Sequence, residues 1–92
     1  MTKVLMNIDP ISGITYDCLN HAGDESVCVI MSTLSNVLVE AAIRAGHPPN
    51  EYNKGHVRID IPPNTAVDET FRTVKAVIEQ AAEQHPDHIR IY

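Results

Sequence analysis

The chain predicts a two-layer α+β fold: a small, mostly antiparallel sheet with two helices covering one face. Three patterns carry this expectation. The first twenty residues alternate apolar and polar side chains on both sides of the turn Asp9-Pro10-Ile11-Ser12-Gly13, as in a hairpin of half-buried strands. Two later stretches repeat apolar residues at i, i+3, i+4 and i+7, the period of an amphipathic helix. Each helical stretch is followed by a further alternating segment. Helices with one apolar side need an apolar sheet face to cover. The expected order is ββαβαβ in one domain spanning residues 1–92.

Val4, Met6 and Ile8 face one way in the first strand and Lys3 and Asn7 the other, with Leu5 breaking the alternation. In the turn, Pro10 fixes φ and Gly13 permits a positive one. The second strand spans residues 14–20 with Ile14, Tyr16 and Cys18 on one face, and His21 stands at its exit. A helix begins near Asp24 or Ser26, either of which can cap it. Its apolar positions are Val27, Ile30, Met31, Leu34, Leu38, Ala41, Ala42 and Ala45, and Gly46 with Pro48 and Pro49 supplies its stop. Residues 47–55 read as a polar loop. Val57, Ile59 and Ile61 alternate with His56, Arg58 and Asp60 in a third strand, which Pro62 and Pro63 end. Thr65-Ala66-Val67-Asp68 resembles a capping box with Asp in place of Glu. The second helix runs from about Val67 to Gln84 and buries Phe71, Val74, Ile78, Ala81 and Ala82. After His85-Pro86, Ile89 and Ile91 alternate with His88, Arg90 and Tyr92 in a closing strand.

Composition narrows the function. The chain has 7 basic and 12 acidic side chains, a formal net charge of −5. A phosphate-backbone binder needs a basic patch, so no direct nucleic-acid partner is expected. No uninterrupted apolar run approaches membrane-spanning length and no signal peptide precedes the first strand. The expectation is a cytoplasmic protein with no membrane partner, whose Cys18 and Cys28 are thiols. A chain of 92 residues buries a modest core, and pairing into a homodimer would hide more apolar surface. There is no phosphate-cradling glycine loop and no paired ligand spacing beyond Cys18-x-x-His21, so neither cofactor nor metal is expected. His47, His56, His85 and His88 read as surface residues.

The chemistry concentrates in Asn20-His21-Ala22-Gly23-Asp24-Glu25-Ser26-Val27-Cys28. Cys28 falls in the first turn of the expected helix, where open N–H groups and the helix dipole favour negative charge. A helix N-terminus and a nearby imidazole both favour a thiolate. His21 lies seven positions earlier, across a turn containing Gly23, so the two ends can come within contact. In such a dyad the imidazole takes the thiol proton and the sulfur attacks a carbonyl, with N–H groups at the helix start as an oxyanion site. The plainer alternatives are a packing cysteine at a helix start and a surface histidine at a strand end.

These residues resemble the ribosomal-processing cysteine protease (Prp) family. Asn20-His21-Ala22-Gly23 is similar to its Gly-His-Ala block. Glu25-Ser26-Val27-Cys28-Val29-Ile30-Met31-Ser32-Thr33-Leu34 is similar to its Asp-Ile-Val-Cys-Ala-x-x-Ser-x-Leu block. The order of elements matches as well, through to the closing His85-Pro86-Asp87-His88-Ile89-Arg90-Ile91 segment. The resemblance implies a small α+β dimer and a cysteine endopeptidase that removes an N-terminal extension from a large-subunit ribosomal protein, with His21 and Cys28 as the catalytic pair. Ser32, one turn beyond Cys28, matches the family's serine and is a candidate to line the site, or else a solvated polar position. Glu25 is a candidate to orient His21, or else a first-turn acid favoured by the helix dipole. The chain departs from the pattern at Asn20, Glu25 and Val29, which replace Gly, Asp and Ala, and its loop between the blocks is shorter and keeps only Gly23. Such a diverged or phage-borne member leaves two alternatives open: a non-catalytic dimeric module that grasps a peptide or protein without cutting it, and a structural domain of a mobile element.

Overall fold

The computed structural model describes residues 1–92. Strands β1 (Thr2–Asp9) and β2 (Gly13–Leu19) lead into helix α1 (Glu25–Arg44); β3 (Glu51–Asn53) and β4 (His56–Ile61) lead into α2 (Thr65–Gln84); β5 (Ile89–Ile91) closes the chain. They form one sheet in the order β3-β4-β2-β1-β5. Every neighbouring pair is antiparallel except β1 with β5. The fold is two-layer α+β, as the alternation predicts.

The order, however, is ββαββαβ. The segment expected as a loop at 47–55 contains β3, whose three residues are all exposed. It has no apolar alternation to announce it. Its pairing comes from β4, through Glu51 opposite Arg58, Tyr52 opposite Val57 and Asn53 opposite His56.

The first hairpin is closed by its own side chain. Asp9 Oδ1 accepts from the N–H groups of Ile11 at 2.7 Å and Ser12 at 2.9 Å. The bond from Ser12, then that from Ile11, holds the Asp9 carboxyl below its ordinary range. Gly13 has φ +99, and a Cβ there would stand 2.0 Å from the Ile61 carbonyl oxygen. Only glycine lets β2 approach β4 this closely.

The core lies between the sheet and the two helices. Val4, Met6, Ile14 and Tyr16 meet Val27, Met31, Leu38, Phe71, Val74 and Ile78 there. The sheet's other face is open and carries a polar ladder: Arg58 donates to Asp17 Oδ2 at 2.9 Å and to Asp60 Oδ2 at 2.7 Å. Asp24 caps α1, accepting from the Val27 N–H at 3.1 Å. Asn64, not Thr65, caps α2: its side chain accepts from Val67 N–H at 3.3 Å. Thr65 is the first helical residue, so the cap lies one position before the one that the Thr65–Asp68 pattern predicts.

By length and composition α1 is apolar enough to cross a membrane, with a mean hydropathy of 1.7. A count of uninterrupted apolar residues misses this, because polar residues such as Ser32, Ser35 and Asn36 break the run. In the fold α1 lays Val27, Met31, Leu38, Val39 and Ala42 against the core. Ser35 is also buried on that side, and its Oγ lies 2.7 Å from the Tyr16 hydroxyl of β2.

Candidate active site

The turn from β2 to α1 is built around two left-handed residues, Asn20 (φ +71) and Gly23 (φ +82). Asn tolerates this region better than most side chains and Gly costs nothing there. Each residue beside His21 is pinned. Asn20 donates its N–H to the Gly55 carbonyl at 2.8 Å and accepts from Thr2 Oγ1 at 3.2 Å. Ala22, 2% exposed, donates its N–H to Cys28 Sγ at 3.3 Å and accepts from His88 Nδ1 at 2.8 Å. The His21 ring lies by the β3–β4 turn, with Nε2 3.7 Å from where a Cβ on Gly55 would be.

His21 and Cys28 line one cavity of about 460 Å³. One wall is α1, which presents Cys28, Ser32 and Asn36 at successive turns. The facing wall is the β3–β4 hairpin from Tyr52 to Val57. The Tyr52 hydroxyl donates to Asn36 Oδ1 and so straps the hairpin to the helix. Cys18, Met31 and Ser35 also line the cavity. Burial pushes the Cys18 thiol up from its ordinary value and does the same to the Tyr16 phenol. Lys54 lines the cavity and no carboxylate does, although the chain carries 12 acidic residues.

The structure thus brings His21, Cys28 and Ser32 to one cavity. No direct hydrogen bond joins His21 to Cys28; their link is the Ala22 N–H on the sulfur. Cys28 is the fourth residue of α1, and its own N–H bonds the Asp24 carbonyl at 2.9 Å. The open N–H groups at the helix start are therefore those of Glu25 and Ser26, since Val27 donates to Asp24 Oδ1. Gly23 shapes the turn without lining the cavity. Glu25 is exposed and makes no hydrogen bond to His21. Both cysteines are free thiols, and no group of three or more His, Cys, Asp or Glu residues is placed to hold a metal ion.

Sequence reasoning missed several residues here. His88 was expected at the surface; it is half-buried and bonds Ala22. Thr2, Gly55 and Tyr52 carry no motif, and only the pairing of distant strands brings them to the cavity; Asn36 carries none either, and reaches it by lying two turns beyond Cys28 on α1. Asn20 did offer a signal, as an Asn before a turn in a residue class that tolerates positive φ.

No protein-family model and no curated protein matches the chain. Solved structures do. The essential ribosomal processing protease Prp from S. aureus, crystallised with a covalently linked product peptide, superposes with a TM-score of 0.81 over 99% of this chain and 97% of that one, at 21% identity. A protein from Streptococcus mutans gives 0.73 over 99% and 91%, at 23% identity. A hypothetical protein from Staphylococcus aureus gives 0.66 over 99% and 97%, at 19% identity. From its first strand to its last, the chain has the fold of the ribosomal processing protease Prp.

Proposed function

We propose that this chain is a cysteine endopeptidase of the Prp type that removes an N-terminal extension from a protein substrate, by resemblance a large-subunit ribosomal protein. The observation that carries the reading is the placement of Cys28 Sγ and His21 on one cavity, at the positions of the family's Cys and His blocks, in a fold shared with a peptidase that has been crystallised joined to a product peptide. His21 takes the thiol proton. Sγ attacks the scissile carbonyl carbon, the C–N bond breaks, and the proton passes to the departing amine. Water then adds to the thioester, His21 takes its proton, and the new carboxylate leaves as the thiol re-forms. The open N–H groups of Glu25 and Ser26 are the candidate donors to the oxyanion. Ser32 is a substrate-binding candidate on the α1 wall, and Gly23 supports the turn. The enzyme works as a cytoplasmic homodimer in this reading.

A second reading is a non-catalytic module that holds a peptide in the same cavity. The absence of a direct His21–Cys28 hydrogen bond favours it, although catalytic hydrogen bonds often tighten only with substrate bound. One experiment separates the two. A peptide spanning the extension and the mature start of the ribosomal protein is incubated with the chain and with Cys28→Ala. The peptidase reading expects two fragments from the first and none from the second. Equal cleavage by both overturns it, and binding without cleavage by both establishes the module.

A further inference from the structure

We infer that His88 is a positioning residue for the candidate dyad: with Thr2 it clamps the carbonyls of Asn20 and Ala22, the residues on either side of His21. Its consequence for catalysis rests on the peptidase reading; the clamp itself does not.

The geometry forms a closed ring. Thr2 Oγ1 donates to the Asn20 carbonyl at 3.2 Å. The Thr2 N–H donates to the His88 carbonyl at 2.9 Å, where β1 begins to pair with β5. His88 Nδ1 reaches the Ala22 carbonyl at 2.8 Å. The carbonyls before and after His21 are thus held by two side chains that are themselves joined through the backbone. A carbonyl only accepts, so the proton of this bond sits on His88 Nδ1. The bond does more than anchor a loop. Ala22 is the residue whose N–H reaches Cys28 Sγ at 3.3 Å. The His88 donor, the Ala22 residue and the sulfur therefore form one chain of contacts, and a displaced Ala22 would move both the His21 backbone and the donor on the sulfur. Gly23 supplies the φ of +82 that turns the chain beside His88; a Cβ there would stand at an ordinary 4.0 Å from His88 Nδ1, so the conformation and not the space calls for glycine. His88 is set by its own backbone, its N–H donating to His85 at 3.0 Å. It touches none of the cavity, so it acts through Ala22 and not on substrate.

The test uses the full chain and three variants. Asn places an amide nitrogen on the same branch as Nδ1, whereas Gln displaces it by one methylene. His88→Asn should keep amide exchange at Ala22 and kcat/KM for the extension peptide within about twofold of the parent. His88→Gln and His88→Ala should each raise that exchange and lower kcat/KM about fivefold, the scale of one lost hydrogen bond. A purely structural role would instead order the variants by Tm. Nitrogen NMR of the unmodified protein, which needs no variant, should show the His88 proton on Nδ1. A proton on Nε2 with Nδ1 bare, or His88→Asn behaving as His88→Ala, overturns the clamp. If the parent fails to cut the peptide, the peptidase reading falls, while the exchange and the NMR signature still decide the clamp.

Discussion

Tyr16 and Ser35 staple the two elements that carry the candidate dyad. Their hydroxyls lie 2.7 Å apart, with Tyr16 fully buried and Ser35 4% exposed. Ser35 is two helical turns beyond Cys28 and on the same side of α1, while Tyr16 sits on β2, which ends just before His21. The pair therefore fixes the rotation of α1 against β2. Tyr16→Phe leaves the Ser35 hydroxyl without its partner, and Ser35→Ala leaves the phenol without its own. Each single change is expected to cost about 1–3 kcal/mol, the penalty for stranding a buried polar group. In a domain of this size that lowers Tm by about 4–8 °C per kcal/mol. The double variant strands neither group, so it should cost less than the sum of the singles by about 1 kcal/mol or more. Chemical denaturation of the four proteins, followed by circular dichroism, reads this directly. Strictly additive costs would show that the hydroxyls do not depend on each other, and the account of how α1 is held to β2 would be wrong.

Other consequences can be checked alongside. The buried forms of Cys18 and Tyr16 hold their protons above the ordinary values of 9.0 and 10.0. At alkaline pH the folded state then binds more protons than the unfolded one, so stability is complete below about pH 9 and falls as pH rises beyond it; denaturation midpoints should fall between pH 8 and pH 10.5, and Cys18→Ala should lessen the fall. Gly13→Ala places a Cβ 2.0 Å from the Ile61 carbonyl oxygen at φ +99, and should cost at least about 2 kcal/mol in a denaturation curve; an unchanged midpoint would refute the close β2–β4 approach. At neutral pH iodoacetamide should label Cys28 at least about tenfold faster than Cys18, whose thiol burial disfavours as thiolate; peptide mapping of a partial labelling gives the ratio.

The parts of the fold that can be read in the sequence are those that local chemistry decides. The β1–β2 hairpin shows itself because Asp9, Pro10 and Gly13 are turn residues between alternating runs. α1 shows itself through its apolar period, the Asp24 cap and the Gly46 stop. β3 does not, because Glu51, Tyr52 and Asn53 are all exposed and pair only because β4 offers an edge. The same distinction holds at the site. His21 and Cys28 are visible as a pair of reactive side chains at the two ends of one turn. His88 and Thr2 are not, because their roles come from β1 and β5 lying side by side, a contact between the two ends of the chain. Ser35 looks like a break in the apolar stripe until Tyr16, on another strand, supplies its partner.

The most direct test of the proposed chemistry is a rapid-quench mass measurement of the protein mixed with the extension peptide. The account predicts an acyl fragment of that peptide joined as a thioester to the segment carrying Cys28, with none on Cys18, and no adduct in Cys28→Ala. Product fragments released by Cys28→Ala at the parent's rate would contradict it.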